Sequence, residues 1–390
     1  MVPYEEALAI TEKYILETGI EYVEILDSLG RFLAEDIISD INMPPFDKPA
    51  VDGYACRKED LDKELVIKDI LPAGKPALKK VEAGECIKIM TGATMPEGAD
   101  WVFMVEDAEE KNGRVRFKGK PGKNNIAMMG EDIRVGDTVI KAGRLIRPQD
   151  IAVMATVGVV KVAVKKRLKI AVITTGNELV EPYIKPAPSQ IRNSNAYQLM
   201  AQVSRAGAEP VYYGIAPDEE SITYDIMVKA IDECDIVLLT GGVSMGDFDF
   251  VPQVMTRAGV KIIFDRIAVQ PGKPTTFGVH GNALIFGLPG NPVSSFIQFE
   301  LFVRPLINRS MGSMIKEGQR KHKLGKDYFR KRAGRMSWVP VILNNDETVT
   351  PVEYHGSAHI NALPGAYGIM KVPVGIKEIK KGEIVDVRQI

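Results

Sequence analysis

Three short turns concentrate the residues able to bind an anion. Thr174-Thr175-Gly176-Asn177-Glu178-Leu179 follows the apolar run 167–173. The segment 240–250, TGGVSMGDFDF, follows 235–239, and 287–295, GLPGNPVSS, follows 283–286. Glycine lets backbone amides come close to an anion, so Gly241, Gly242 and Gly246, with the hydroxyl of Ser244, read as a phosphate or oxyanion cradle. Any one of these turns is explained as a tight turn; their recurrence in one sheet favours the cradle. Asn291 and Pro292 read as the N-cap and first residue of a helix whose N-terminus adds partial positive charge. The same turns carry the carboxylates Glu178, Asp218, Asp247 and Asp249, which repel an anion unless a cation mediates. Mg²⁺ held by one or two carboxylates plus substrate phosphates is the usual solution. Asp218 is explained as well by a plain helix cap, whereas Asp247 and Asp249, two residues apart after glycines, favour the metal. Lys273, in QPGKPTTFG (270–278), is held by flanking prolines and suits a point charge for an oxyanion. No GxxxxGK followed by Ser or Thr occurs, which disfavours P-loop kinases and ATPases.

These turns need a scaffold. Apolar runs at 167–175, 209–215, 235–240, 260–269, 275–279 and 283–288 alternate with helical patterns at 195–207, 218–234 and 292–307. That alternation predicts a mostly parallel sheet covered by helices, with ligands beyond the carboxyl ends of its strands. Before it, 4–17 has the spacing of an amphipathic helix, 39–138 is a succession of short apolar runs broken by Gly, Pro, Asn and Asp, and 148–164 reads as a short helix and a strand. From about 317 the pattern returns to short strands and turns, a small C-terminal β domain. The fold class is therefore α/β plus β-rich domains.

The chain has 390 residues, of which 45% are hydrophobic and 26% charged, enough for several folded domains and against extended disorder. Fifty Lys and Arg balance 51 Asp and Glu, which gives no prior for wrapping nucleic acid. No apolar run of about 18 residues occurs, so no membrane helix is expected, and the acidic start, MVPYEE, is unlike a signal peptide, which suggests a cytoplasmic protein. Cys56, Cys86 and Cys234 form no metal or disulfide pattern and read as small buried hydrophobes. His280, His322, His355 and His359 are scattered, and the segment 355–359 looks strand-like, so a zinc site or a Ser/His/Asp triad has little support.

The early β region adds MPPFDKPAVDGYA (43–55), KIMTGATMPEGADWV (88–102) and GEDIRVGD (130–137), which contain Asp52, Thr91 and Asp132. In order with TTGNEL, QIRNSNAYQL, LLTGGVSMGDFDFVP, QPGKPTTFG and GLPGNPVSSF, these segments closely resemble the molybdopterin molybdenumtransferase family, related to the E domain of gephyrin. The likeness runs from about residue 3 to 310 and more weakly to the end. It implies an elongated subunit that forms a homodimer, with a discontinuous domain at 1–38 and 139–164, a β domain at 39–138, a molybdopterin-binding α/β domain at 165–316 and a β-barrel-like domain at 317–390. It implies Mg²⁺-dependent insertion of molybdate into adenylylated molybdopterin with release of AMP, in a cleft between the α/β domain of one subunit and the β domains of the other. Transient contact with molybdopterin adenylyltransferase and with molybdoenzymes is implied as well.

Matched residue by residue, the family assigns Asp218 and Asp249 to Mg²⁺ and the adenylyl group. It assigns Gly241, Gly242, Ser244, Asp247, Lys273 and Pro274 to molybdate and pterin phosphate. Glu178 is the acid of the TTGNEL turn. Pro289, Gly290, Asn291, Pro292 and Ser294 line the cleft, and Asp52, Thr91 and Asp132 form its β-domain side. The chain departs from the family pattern at Ala127 and Gln270, where Arg and Lys are usual, at Pro340, where a second Arg after Arg335 is expected, and in the turn Gly356-Ser357-Ala358. Those changes keep open a tungstate-preferring paralogue or a non-catalytic molybdopterin carrier.

Overall fold

A computed structural model describes residues 1–242, 250–313, 318–353 and 356–390. Its central sheet has the strand order Glu209–Ala216, Lys169–Thr175, Ile236–Thr240, Ala283–Leu288, Thr276–His280, Lys261–Phe264. The first four run parallel, Thr276–His280 runs antiparallel to them, and Lys261–Phe264 pairs antiparallel with Thr276–His280. Strands Ile236–Thr240 and Ala283–Leu288 are buried at every residue, because helices cover both faces and leave no solvent side to pattern. The two-residue period still sorts the side chains. Ile170, Val172, Leu238 and Phe286 join the core beneath helix Ser194–Arg205 and the segment 292–310. Ala171, Ile173, Val237, Leu239 and Ile285 join the core beneath Glu220–Glu233 and Val251–Arg257.

The N-terminal residues pair with a distant part of the chain. Ile20–Glu24 runs antiparallel to Lys161–Lys165, and Ile37–Ile38 to Thr138–Ile140. Between them lies a separate six-stranded sheet, in which Gly53–Cys56 sits between Trp101–Met104 and Glu85–Ile89. Cys56 and Cys86 face each other across that register. Burial pushes both thiols up to about 12, so they remain protonated and act as small hydrophobes. The C-terminal sheet has the order Val269–Gln270, Met336–Leu343, Gly368–Val372, Ile384–Gln389, Gln319–Lys323. Val349–Pro351 pairs with Met336–Leu343, and Val349 is also bridged to Leu324. Because Val269–Gln270 belongs to this sheet, the chain crosses from it to the α/β domain just where Lys273 stands.

Four expectations are corrected. The helix expected over 4–17 is Tyr4–Thr11 only. Its continuation leaves the helix because Leu16 N donates to Ser310 Oγ at 3.0 Å, and Tyr14 packs edge-on against Phe277. Asp218 is not an N-cap: helix Glu220–Glu233 begins after Glu219, and the Asp218 carboxylate is occupied elsewhere, as described below. The helix expected over 292–307 is three pieces, Pro292–Gln298, a π turn Phe299–Val303 and Arg304–Ser310. Pro305 accounts for the break, since it has no amide to donate and its ring clashes with the carbonyl four residues back. The segment thought strand-like around His359 is a turn over 356–358 followed by the short helical turn Ile360–Ala362, while His355 lies outside the described residues.

Within the π turn, Glu300 is fully buried. Its carboxylate accepts from Gln202 Nε2 at 2.6 Å, pairs with Arg205, and lies 2.8 Å from Arg304 Nη1. Its carbonyl accepts from Arg388 of the C-terminal sheet. Glu300→Ala leaves Arg304 partly buried without its counter-charge, so we expect a stability loss of about 3 kcal/mol, read as a lower urea midpoint at unchanged slope.

Candidate active site

All three turns singled out by sequence lie at the carboxyl edge of the four parallel strands, and their described residues meet there. Thr175, Gly176, Glu178, Asp218, Gly241, Gly242, Gly290 and Asn291 line one cavity of about 670 Å³. Gly241 has φ +99°, and a Cβ on it would stand 2.5 Å from the Thr175 carbonyl oxygen, so only glycine lets this turn pack against its neighbour. Glu178 and Asp218 reach the same cavity because Asn177 ties their loops together. Asn177 N donates to Asp218 Oδ2, and Asp218 N donates to Asn177 Oδ1, both at 3.1 Å. Neither carboxylate forms an ion pair with a described residue. Ser244, Asp247 and Asp249, the other residues expected here, lie outside the described residues, as does Gly246.

Lys273 opens onto a second cavity, of about 890 Å³, between the α/β domain and the C-terminal sheet. The two cavities share Pro274, Pro289 and Asn291 in their walls and so form one cleft. Gln270, Ser294, Lys326, Arg335 and Glu353 also line the second cavity. Lys273 is exposed and makes no ion pair with a described residue. Its loop is held from below: Gln298, fully buried, donates from Nε2 to the Pro271 carbonyl at 2.8 Å, and Thr275 Oγ1 donates to the Gly272 carbonyl at 2.8 Å. Gly272 has φ +107°, and a Cβ there would lie 2.2 Å from Gln298 Nε2. Gly272→Ala must therefore displace the lysine loop. Strain of about 1–3 kcal/mol at such a position is expected as a drop in Tm, read by thermal unfolding.

The helix start expected after Asn291 is present, and the C-terminal domain occupies part of it. Asn291 does precede helix Pro292–Gln298, but its side chain caps nothing and donates instead to Ser357 Oγ at 3.0 Å. The Ser357 carbonyl takes the Val293 amide at 3.0 Å. The turn Gly356-Ser357-Ala358 thus docks the C-terminal domain onto this helix start and consumes a donor that an anion would need.

Asp52 and Thr91 are joined directly, whereas Asp132 is tied to Met43, at the start of the segment that carries Asp52. Thr91 N donates to Asp52 Oδ1 at 2.7 Å, Asp132 N donates to the Met43 carbonyl at 3.0 Å, and Lys48–Pro49 pairs with Ile126–Ala127. They are absent from the described walls of both cavities. Sequence reasoning missed Asn193 and Asn195 in the first cavity and gave no site role to Lys326 and Glu353 in the second. The two asparagines stand in the quoted QIRNSNAYQL, but nothing local to that stretch shows which strands they reach.

A helix-covered parallel sheet whose glycine turns and carboxylates open, through one cleft, onto a C-terminal β sheet defines a multidomain α/β protein with its candidate site between domains. Family models match 2–158 as the MoeA N-terminal region (domain I and II), 171–309 as a probable molybdopterin binding domain, and 324–390 as the MoeA C-terminal region (domain IV). The chain is 34% identical over 407 residues to the molybdopterin molybdenumtransferase of Bacillus subtilis (strain 168), covering 99% of this chain and 93% of that one. It is 36% identical over 305 residues to that of Haemophilus influenzae (strain ATCC 51907 / DSM 11121 / KW20 / Rd), covering 77% and 75%. It superposes on the crystal structure of the molybdopterin biosynthesis moeA protein of Pyrococcus horikoshii OT3 with a TM-score of 0.87 at 32% identity, over the full length of both chains. The chain belongs to the MoeA family of molybdopterin molybdenumtransferases, enzymes of molybdenum cofactor biosynthesis.

Proposed function

We propose that the chain inserts molybdate into adenylylated molybdopterin and releases AMP in a Mg²⁺-dependent step. The observation that carries this reading is the single cleft that joins Glu178 and Asp218 at one end to Lys273 at the other. The first cavity offers oxygen donors without a paired cation among the described residues, the donor set that suits a hard divalent ion. Glu178 and Asp218 would hold Mg²⁺ there, with Asp249 proposed as a further ligand. When bound, Mg²⁺ offsets the charge of the phosphoanhydride and polarises it. The chain's own residues do the rest. Gly241 and Gly242 let a phosphate approach the backbone, Lys273 binds the oxyanion substrate, and Pro289, Gly290, Asn291, Pro292 and Ser294 shape the wall along which the pterin lies.

Asp52, Thr91 and Asp132 line neither cavity, and we propose that a second copy of the chain supplies them. Exposed apolar side chains on the paired segments 20–29 and 160–165, among them Tyr22, Leu26 and Val160, offer a face for such a dimer. Among the described residues no helix is long and apolar enough to cross a membrane. Cytoplasmic residence, and transient contacts with molybdopterin adenylyltransferase and with acceptor molybdoenzymes, belong to the same proposal.

The test is to mix the purified protein with adenylylated molybdopterin, Mg²⁺ and either molybdate or tungstate, and to assay AMP and active cofactor. Release of AMP that depends on molybdate supports the reading. Preference for tungstate would revise the oxyanion, and tight pterin binding without AMP release would make the chain a carrier.

A further inference from the structure

The tripeptide Asn193-Ser194-Asn195 begins the helix Ser194–Arg205 and reaches three of the parallel strands and the turn that follows the fourth. Asn193, almost fully buried, donates from Nδ2 to Thr174 Oγ1 and to the Tyr212 hydroxyl, both at 2.9 Å, and its Oδ1 accepts from Ala196 N at 3.2 Å. Thr174 and Tyr212 belong to strands Lys169–Thr175 and Glu209–Ala216. Tyr212 in turn donates to Glu181 Oε1 at 2.6 Å. Burial, and then that carboxylate, raise the phenol above its ordinary range, so it remains a donor. Asn195 joins the third strand to the turn that follows the fourth. Its Nδ2 donates to Thr240 Oγ1 at 3.0 Å and to the Gly290 carbonyl at 2.7 Å. The Gly290 carbonyl can only accept, which settles the orientation of the amide, and the Thr240 hydroxyl donates to the Pro289 carbonyl at 3.0 Å.

The two turns clipped by Asn195 also touch. A Cβ on Gly290 would stand 3.5 Å from the Gly241 Cα. Beyond the last paired residues, Thr240 and Leu288, the sheet ladder no longer sets their separation, and Gly241 N to the Leu288 carbonyl is a long 3.3 Å contact. Asn195 is placed to do so. We propose that Asn195 is a positioning residue that fixes the spacing between the Thr240-Gly241-Gly242 and Pro289-Gly290-Asn291 turns, with Asn193 anchoring the helix start on the other two strands. The role is indirect, because both donors of Asn195 face protein groups. It rests on the reading above that these turns hold the anionic substrate.

Asn195→Ala and the isosteric Asn195→Asp, which cannot donate to the Gly290 carbonyl, are compared with wild type in the full chain. Amide hydrogen exchange is expected to speed up at 240–242 and 290–291 while the C-terminal strand Met336–Leu343 stays unchanged. KM for adenylylated molybdopterin is expected to rise about tenfold, the scale of one hydrogen bond, with kcat changed less. Asn195→Gln, which keeps the donor on a longer arm, should recover part of both effects. Unchanged exchange at both turns would overturn the proposal, and so would faster exchange spread over the whole sheet, which marks a merely structural residue. Local opening in a protein whose wild type does not bind the pterin substrate would leave Asn195 as the clip and remove the reading of the cleft.

Discussion

Lys273→Ala is expected to lower kcat/KM for cofactor formation by about tenfold to two hundredfold, the range of a charge-assisted hydrogen bond. Lys273 is exposed on the cleft wall and has no carboxylate partner among the described residues, so its charge is available to a ligand. Its backbone, by contrast, is fixed. The Lys273 carbonyl accepts from Ile267 N and from Thr275 N, both at 3.0 Å, and the loop rests on Gln298. Truncating the side chain should therefore leave Tm unchanged while KM for molybdate rises. Lys273→Arg is not expected to rescue fully, because a planar fork presents its donors differently from a compact ammonium. Initial rates of AMP release across a molybdate titration give the answer. A variant with wild-type kinetics would show that the second cavity does not hold the oxyanion.

Much of the scaffold was legible because its signals are local. A strand buried on both faces must be apolar throughout, and Ile236–Thr240 announces itself that way. A glycine required by the backbone also shows, as at Gly241. What remained hidden depends on partners far away in the chain. Glu300 looks like an ordinary acid on a helix until Gln202, Arg205 and Arg304 are seen around it. The helix at the N-terminus reads six residues too long because the apolar spacing persists, whereas Ser310, 294 residues on, captures the Leu16 amide. Asp218 has the right type and place for a cap, yet Asn177, 41 residues earlier, is its partner. Asn193 and Asn195 are the extreme case. Their meaning is set by the strand order, and sequence patterns give strand identity without strand neighbours.

Asp218→Ala is expected to weaken Mg²⁺ dependence most directly. Disturbing a partner at a metal site typically costs about 10–100-fold in metal affinity or activity, and a direct ligand should cost at least that. Asp218 also accepts from Asn177 N through Oδ2, and Asp218→Ala removes that half of the reciprocal pair while the backbone amide at 218 still donates to Asn177 Oδ1, so the loop that carries Glu178 is loosened as well. Glu178→Ala removes the second carboxylate but leaves that pair intact. The two single variants should therefore differ. Glu178→Ala should raise the Mg²⁺ concentration needed for half-maximal AMP release with little change in loop order, whereas Asp218→Ala should do both. On the proposal that they serve one ion, the double variant should lose less than the product of the two single losses. Calorimetric titration of Mg²⁺ into each variant separates binding from turnover. Fully multiplicative losses, or Mg²⁺ binding unchanged in both single variants, would mean that the two acids act independently and that the cation sits elsewhere.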